Sequence, residues 1–212
     1  MHASKHLPLI LAATVVSALL VSGWAPYDRG TWVLETAPVF IALALLMATR
    51  QRFPLTPLLY LLIAAHALVL IYGGAYTYAR VPLGDWLQQS FGLLRNPYDR
   101  IGHFMQGAVP ALVAREILMR REVINGVAWR NFLIVCVCLA ISASYEFLEW
   151  WAALALGQGA DAFLGTQGDP WDTQWDMAMA TVGAISALLL LGKTHDRQLC
   201  RFPKQAASVT KA

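Results

Sequence analysis

The stretch LTPLLYLLIAAHALVLIYGG, residues 55–74, decides the fold, because its twenty residues include no Asp, Glu, Lys or Arg. About 20 apolar residues are what a helix needs to cross a hydrocarbon core roughly 30 Å thick. In lipid, a run of that length satisfies its backbone N–H and C=O groups only as a helix. Outward from it lie five more runs of comparable length: Leu7–Trp24, Val33–Thr49, Ile101–Leu118, Asn131–Trp151 and Trp175–Gly192. The whole chain agrees, being 58% hydrophobic and 14% charged over 212 residues, where a soluble domain carries about 25% charged residues. This composition excludes a soluble enzyme, a disordered regulator and a disulfide scaffold. Cys136, Cys138 and Cys200 form no CxxC pair and read as buried, inert thiols. A net charge of +3 without a basic stripe gives no basis for a nucleic-acid partner.

Basic residues orient the spans. Twelve of the 16 Lys and Arg fall on one side, in the segments holding Lys5, Arg50 and Arg52, Arg115–Arg130, and residues 193–212. The other side has four: Arg29, Arg80, Arg95 and Arg100. The expected architecture is therefore an all-α polytopic membrane bundle with both termini cytoplasmic. A single six-helix transmembrane domain covers 1–192, and a short basic cytoplasmic tail covers 193–212. The first span is read as a retained helix rather than a cleaved signal peptide.

Three segments look alike: Pro26-Tyr27-Asp28, Pro97-Tyr98-Asp99 and Pro170-Trp171-Asp172. Each precedes an even-numbered span on the outer side, which implies three related helical hairpins. The structural reading of the motif is an interfacial aromatic followed by an N-capping Asp. One helical turn after each Asp the repeats diverge, to Trp32, His103 and Asp176. Glu146 and Glu149 share a helix face near the outer end of span five, and Asp169 lies just before Asp172. Topology thus carries Asp99, His103, Glu146, Glu149, Asp169, Asp172 and Asp176 to one membrane depth.

Ionisable groups within spans face one another or a wet cavity. So many carboxylates cannot all ionise side by side without a cation. Two explanations stand. A divalent cation (Zn, Mn or Mg) is held by Asp99, His103, Asp172 and Asp176, with Glu146 and Asp169 as further ligands. Alternatively, Arg29, Arg95 and Arg100 neutralise the acids in a structural network. Elsewhere, His66 reads as a helix-packing histidine. Leu83, Trp86, Leu87, Phe91 and Leu94 have the spacing of an interfacial amphipathic helix. The Gly-rich loop 157–170 reads either as a lid over the cluster or as a plain connector.

The run Tyr98-Asp99-Arg100-Ile101-Gly102-His103-Phe104, with Tyr145-Glu146-Phe147-Leu148-Glu149-Trp150 and Leu164–Met177, resembles the YjdF-like family of bacterial inner-membrane proteins. The likeness covers nearly the whole chain and implies location in the inner (plasma) membrane, but no reaction. A more distant likeness is to VanZ-like membrane proteins, carried by Asp99, His103-Phe104, Glu146 and Asp176 with Gly183. Glu149 stands where that family usually has Gln, and Ala180 where it has Asn. This second likeness implies a substrate in the cell envelope.

Three functions follow as expectations. The leading one is a metal-assisted hydrolase or transferase acting on a membrane lipid or envelope precursor, with His103, Glu146 and Glu149 as catalytic residues and His103 or Glu146 as general base. The second is a small transporter built from three hairpin repeats. The third is a non-catalytic scaffold whose acids and arginines lock the bundle.

Overall fold

The computed structural model describes residues 6–156 and 166–202. Among these residues it holds seven helices and no strand: α1 (Leu7–Trp24), α2 (Arg29–Thr49), α3 (Pro57–Tyr76), α4 (Pro82–Phe91), α5 (Tyr98–Arg120), α6 (Val127–Leu156) and α7 (Asp172–Leu199). The starts follow ordinary helix chemistry. Asp28 caps α2 by accepting a 2.7 Å hydrogen bond from the Thr31 amide, which holds its carboxyl below the usual range. Pro57 and Pro82 open α3 and α4 where no intrahelical N–H is needed.

Helices α1, α2, α3, α6 and α7 are long and apolar enough to cross a membrane. Their outward faces carry exposed side chains such as Leu20, Val21, Leu189 and Leu190, which a bilayer would cover. Helix α5 has the length, 23 residues, but carries Asp99, Arg100, Arg115, Glu116 and Arg120. It tolerates them because it is the inner helix, packed against α3, α6 and α7. Of the three expected hairpins, α3 with α5 and α6 with α7 are packed pairs and α1 with α2 is not. Helices α1 and α2 touch only lightly and each packs on α3, while the closest pair is α5 with α7.

That pair meets backbone to backbone. Gly107 lies against the Ala180 carbonyl and Gly183 against the Phe104 carbonyl, and a Cβ at either glycine would overlap its neighbour. Ala111, Ala180 and Ala184 are fully buried along the same seam, and the Cys138 thiol donates to the Gly107 carbonyl at 3.5 Å. Lipid tails are as apolar as leucine, so helices in a membrane associate through such small-residue contacts rather than by a hydrophobic drive.

At the end of the bundle where α5 stops, Glu116 and His195 are fully buried and completely partnered. Glu116 accepts from Arg120 at 2.8 Å, from the Thr56 amide at 3.2 Å and from His195 Nε2 at 3.0 Å. Arg115 can only donate, so its 3.2 Å contact makes His195 Nδ1 an acceptor and leaves the ring proton on Nε2, facing Glu116. Arg115 also pairs with Asp196 at 2.7 Å. Two guanidinium groups thus balance two carboxylates across a neutral imidazole. The network ties α7 to α5 beyond Gly192, so residues 193–199 of the expected tail are a continuation of α7. Residues 203–212 and Lys5 lie outside the described residues.

Two local expectations change. Helix α4 exposes Leu83, Trp86 and Phe91, in keeping with an interfacial helix, but Gly92 in the left-handed conformation ends it before Leu94. Of the cysteines, Cys138 alone is buried, since Cys136 and Cys200 sit on outward faces.

Gly183→Val should force α5 and α7 apart and lower stability by about 1–3 kcal/mol, whereas Gly192→Ala, with no atom within 4 Å of the added carbon, should not lower it. Thermal unfolding in detergent reads both. Glu116→Gln should cost about 3–5 kcal/mol, because it strands Arg120 without its buried partner, and the same melting measurement checks it.

Candidate functional site

The opposite end of the bundle collects the acids that the sequence places at one depth, and α5 and α7 present them side by side. His103 is the centre. Its Nε2 lies 3.4 Å from Asp99 Oδ1 and 3.7 Å from Asp176 Oδ2, while its Nδ1 lies 3.2 Å from Gln106 Oε1. Asp99, His103 and Asp176 can offer ligand atoms to one metal ion, and His103, Glu146 and Glu149 form a second such group. Asp99, His103, Glu146 and Asp176 are buried and Glu149 is half-buried.

Asp172 and Asp169 are held differently. Asp172 pairs directly with Arg95, which also contacts Asp99 at 3.2 Å and Asp169 at 3.7 Å. Arg100 reaches Asp169 at 3.3 Å, and Asp169 accepts from the Trp171 amide at 2.9 Å. Neither acid belongs to the His103-centred groups among the described residues. Asp99 and Asp172 sit in the first turns of α5 and α7 without capping them, so only Asp28 performs the capping role of the repeated motif. Arg29 takes no part in these ion pairs.

The 166–170 segment is pinned over this corner. The Thr166 carbonyl accepts from Arg95 at 3.0 Å, and the Gln167 side chain makes two 3.0 Å hydrogen bonds with the Asn96 backbone. Gln167 and Gly168 have φ of 49° and 83°, the left-handed region that allows the chain to turn here. Residues 157–165, the remainder of the expected lid, lie outside the described residues.

Two participants escape a reading based on spacing. Glu35 of α2 is buried and accepts from the Tyr145 hydroxyl at 3.2 Å, and Tyr145 packs edge-on against His103. The signal for Glu35 is its position as the one charged residue inside the second apolar run. Tyr145 carries no such signal, since an aromatic in a span is ordinary.

The charge balance is unlike that of the Glu116 network. Glu35, Asp99, Glu146, Glu149, Asp169, Asp172 and Asp176 converge on two guanidinium groups and one imidazole. Asp176 Oδ1 and Glu146 Oε1 are buried without a hydrogen-bond partner among the described residues. If Nδ1–H donates to the Gln106 carbonyl oxygen, the Nε2 lone pair faces carboxylate oxygens of Asp99 and Asp176. A proton or a metal ion between them removes that repulsion, and a second hydrogen bond of this kind is what orients a metal-ligating histidine.

A cavity of about 760 Å³ opens beside His103. Glu35, Asp99, His103, Tyr145 and Glu149 line one end, and Thr49, Phe53 and Arg121 the other. Its middle is apolar apart from Gln106 and His66, whose Nε2 is buried without a partner among the described residues.

The family model described as “Predicted membrane protein (DUF2238)” matches residues 7–197. The chain is 57% identical over 198 residues to the inner membrane protein YjdF of Escherichia coli (strain K12), covering 92% of this chain and 95% of that protein. No solved structure matches it. With its apolar helices, these matches make the chain a multi-pass inner-membrane protein, and it belongs to the DUF2238 family of membrane proteins.

Proposed function

We propose that the His103 cluster binds a divalent cation and uses it to hydrolyse or transfer a group on a membrane lipid or envelope precursor. The observation that carries this reading is the surplus of buried carboxylate around His103, with Asp176 Oδ1 and Glu146 Oε1 unpartnered among the described residues. His103 Nε2, Asp99 and Asp176 are the ligands in this reading, and nitrogen with carboxylate oxygen suits Zn, Mn or Mg. A cation held there would polarise a phosphoryl or acyl oxygen and make a bound water more acidic. Glu146, with its free oxygen, would be the base for that water, and Glu149 lies beside it. Asp172 and Asp169 serve as positioning residues that hold Arg95 and Arg100 next to the ligands.

A second reading has an observation of its own. Arg95 bridges Asp99, Asp169 and Asp172, as expected of a scaffold that locks α5 to α7. The transporter reading gains nothing from the cavity, whose apolar middle is unlike a path for ions. The six-span orientation completes the proposal. With both termini in the cytoplasm, the cation site faces the outer leaflet, where envelope precursors are processed.

Elemental analysis of detergent-purified protein, before and after chelator, should find about one equivalent of divalent metal. Asp176→Asn and Glu146→Gln should keep the fold, with Asp176→Asn losing the metal and Glu146→Gln retaining it without activity. A metal-free parent together with a melting loss of about 3–5 kcal/mol in Asp176→Asn would establish the scaffold instead. Reporter fusions should place the C-terminus and the segment between Arg115 and Arg130 in the cytoplasm, and an outward C-terminus would overturn the orientation.

A further inference from the structure

We infer that the cavity beside His103 holds the hydrocarbon chain of an amphipathic phosphate ester whose head lies at the carboxylate cluster. The inference rests on the cation-site reading and names its substrate class. Continuity is the first ground, since Glu35, Asp99, His103, Tyr145 and Glu149 line both the cluster and the mouth of the cavity. A hard cation among carboxylates takes anionic oxygen ligands, which a phosphate ester supplies.

Shape is the second ground. Along α2 the cavity runs from Glu35 to Thr49, about 21 Å at 1.5 Å per residue. That is roughly two-thirds of a 30 Å hydrocarbon core. The walls between are apolar, with Val39, Ala42, Leu46, Val113, Val137 and Ile141. A single extended alkyl chain is narrow enough to lie along such a slot. Water is a poor filler, because each buried water needs two to four polar partners, and along the apolar middle the lining side chains offer only His66 and Gln106.

Access is the third ground. Helix α2 packs on α3 and leaves the space toward α6 without helix packing, so the cavity lies along a seam at the bundle's side. The Tyr145–Glu35 hydrogen bond joins α6 to α2 across that seam at the head end. A chain therefore enters sideways from the bilayer, with its head already at the interface.

The test is photolabelling of the full chain in vesicles containing hexadecyl phosphate with a mid-chain diazirine, with metal content measured on the same samples. Adducts are expected on Ala42, Val113 and Ile141. Ala42→Trp and Val113→Trp, on opposite walls, should each reduce labelling about tenfold by filling the groove, with metal content unchanged. Excess inorganic phosphate, which has no chain, should leave the label in place. Adducts confined to bilayer-facing Leu20, Leu189 and Leu190, or labelling unaffected by both tryptophans, would overturn the chain site while the metal result stands. Groove labelling in a protein without metal would uphold the chain site and overturn the cation reading instead.

Discussion

Gly107 and Gly183 allow the α5 and α7 backbones to touch at the Ala180 and Phe104 carbonyls, and the polar chemistry of the bundle depends on that contact. Helices this close bring side chains further along them within a few ångströms of each other. Asp176 then meets His103 at the α5 start, and His195 meets Glu116 at its far end. A bulkier seam would separate both pairs, leaving ionisable groups in a low-dielectric interior without partners. The small residues therefore set the distances on which the polar networks rely.

The two networks built on this seam differ in kind. Around Glu116 every charge has a counter-charge, and the orientation of His195 follows from the partners it has. A network balanced in this way holds helices together. Around His103, among the described residues, the acids outnumber the bases, and oxygens on Asp176 and Glu146 lack donors. Burial of unpaired carboxylate is costly, and folds retain such cost where a ligand relieves it. Arg95 supplies part of the compensation and divides the cluster, holding Asp172 and Asp169 while His103 faces Asp99 and Asp176.

The cavity adds an apolar counterpart to this polar centre. Because α2 leans on α3 rather than on α5, the bundle is incomplete on the side facing α6. The incomplete side begins at the same residues that crowd around His103. A polar centre joined to a long apolar slot suits a molecule with a head and a tail, and the interface is where a bilayer delivers both.

The sequence by itself determined the helical membrane bundle, because bilayer thickness and backbone hydrogen bonding leave a 20-residue apolar run no other choice. It also determined the common depth of Asp99, His103, Glu146, Glu149, Asp172 and Asp176, since alternating spans return acids near the same helix ends to one level. Depth is one coordinate of three. Which acids face His103 and which face Arg95 was decided by the rotation of α5 against α7, set by contacts between glycines and carbonyls about one turn further along the helices. The same is true of Glu35, which reaches the site only because α3 carries α2 past α5. The cavity exists only in the tertiary structure, being a volume left where α2, α5 and α6 do not meet. Hydropathy records what a residue dissolves in, and the space between three helices depends on how all of them pack.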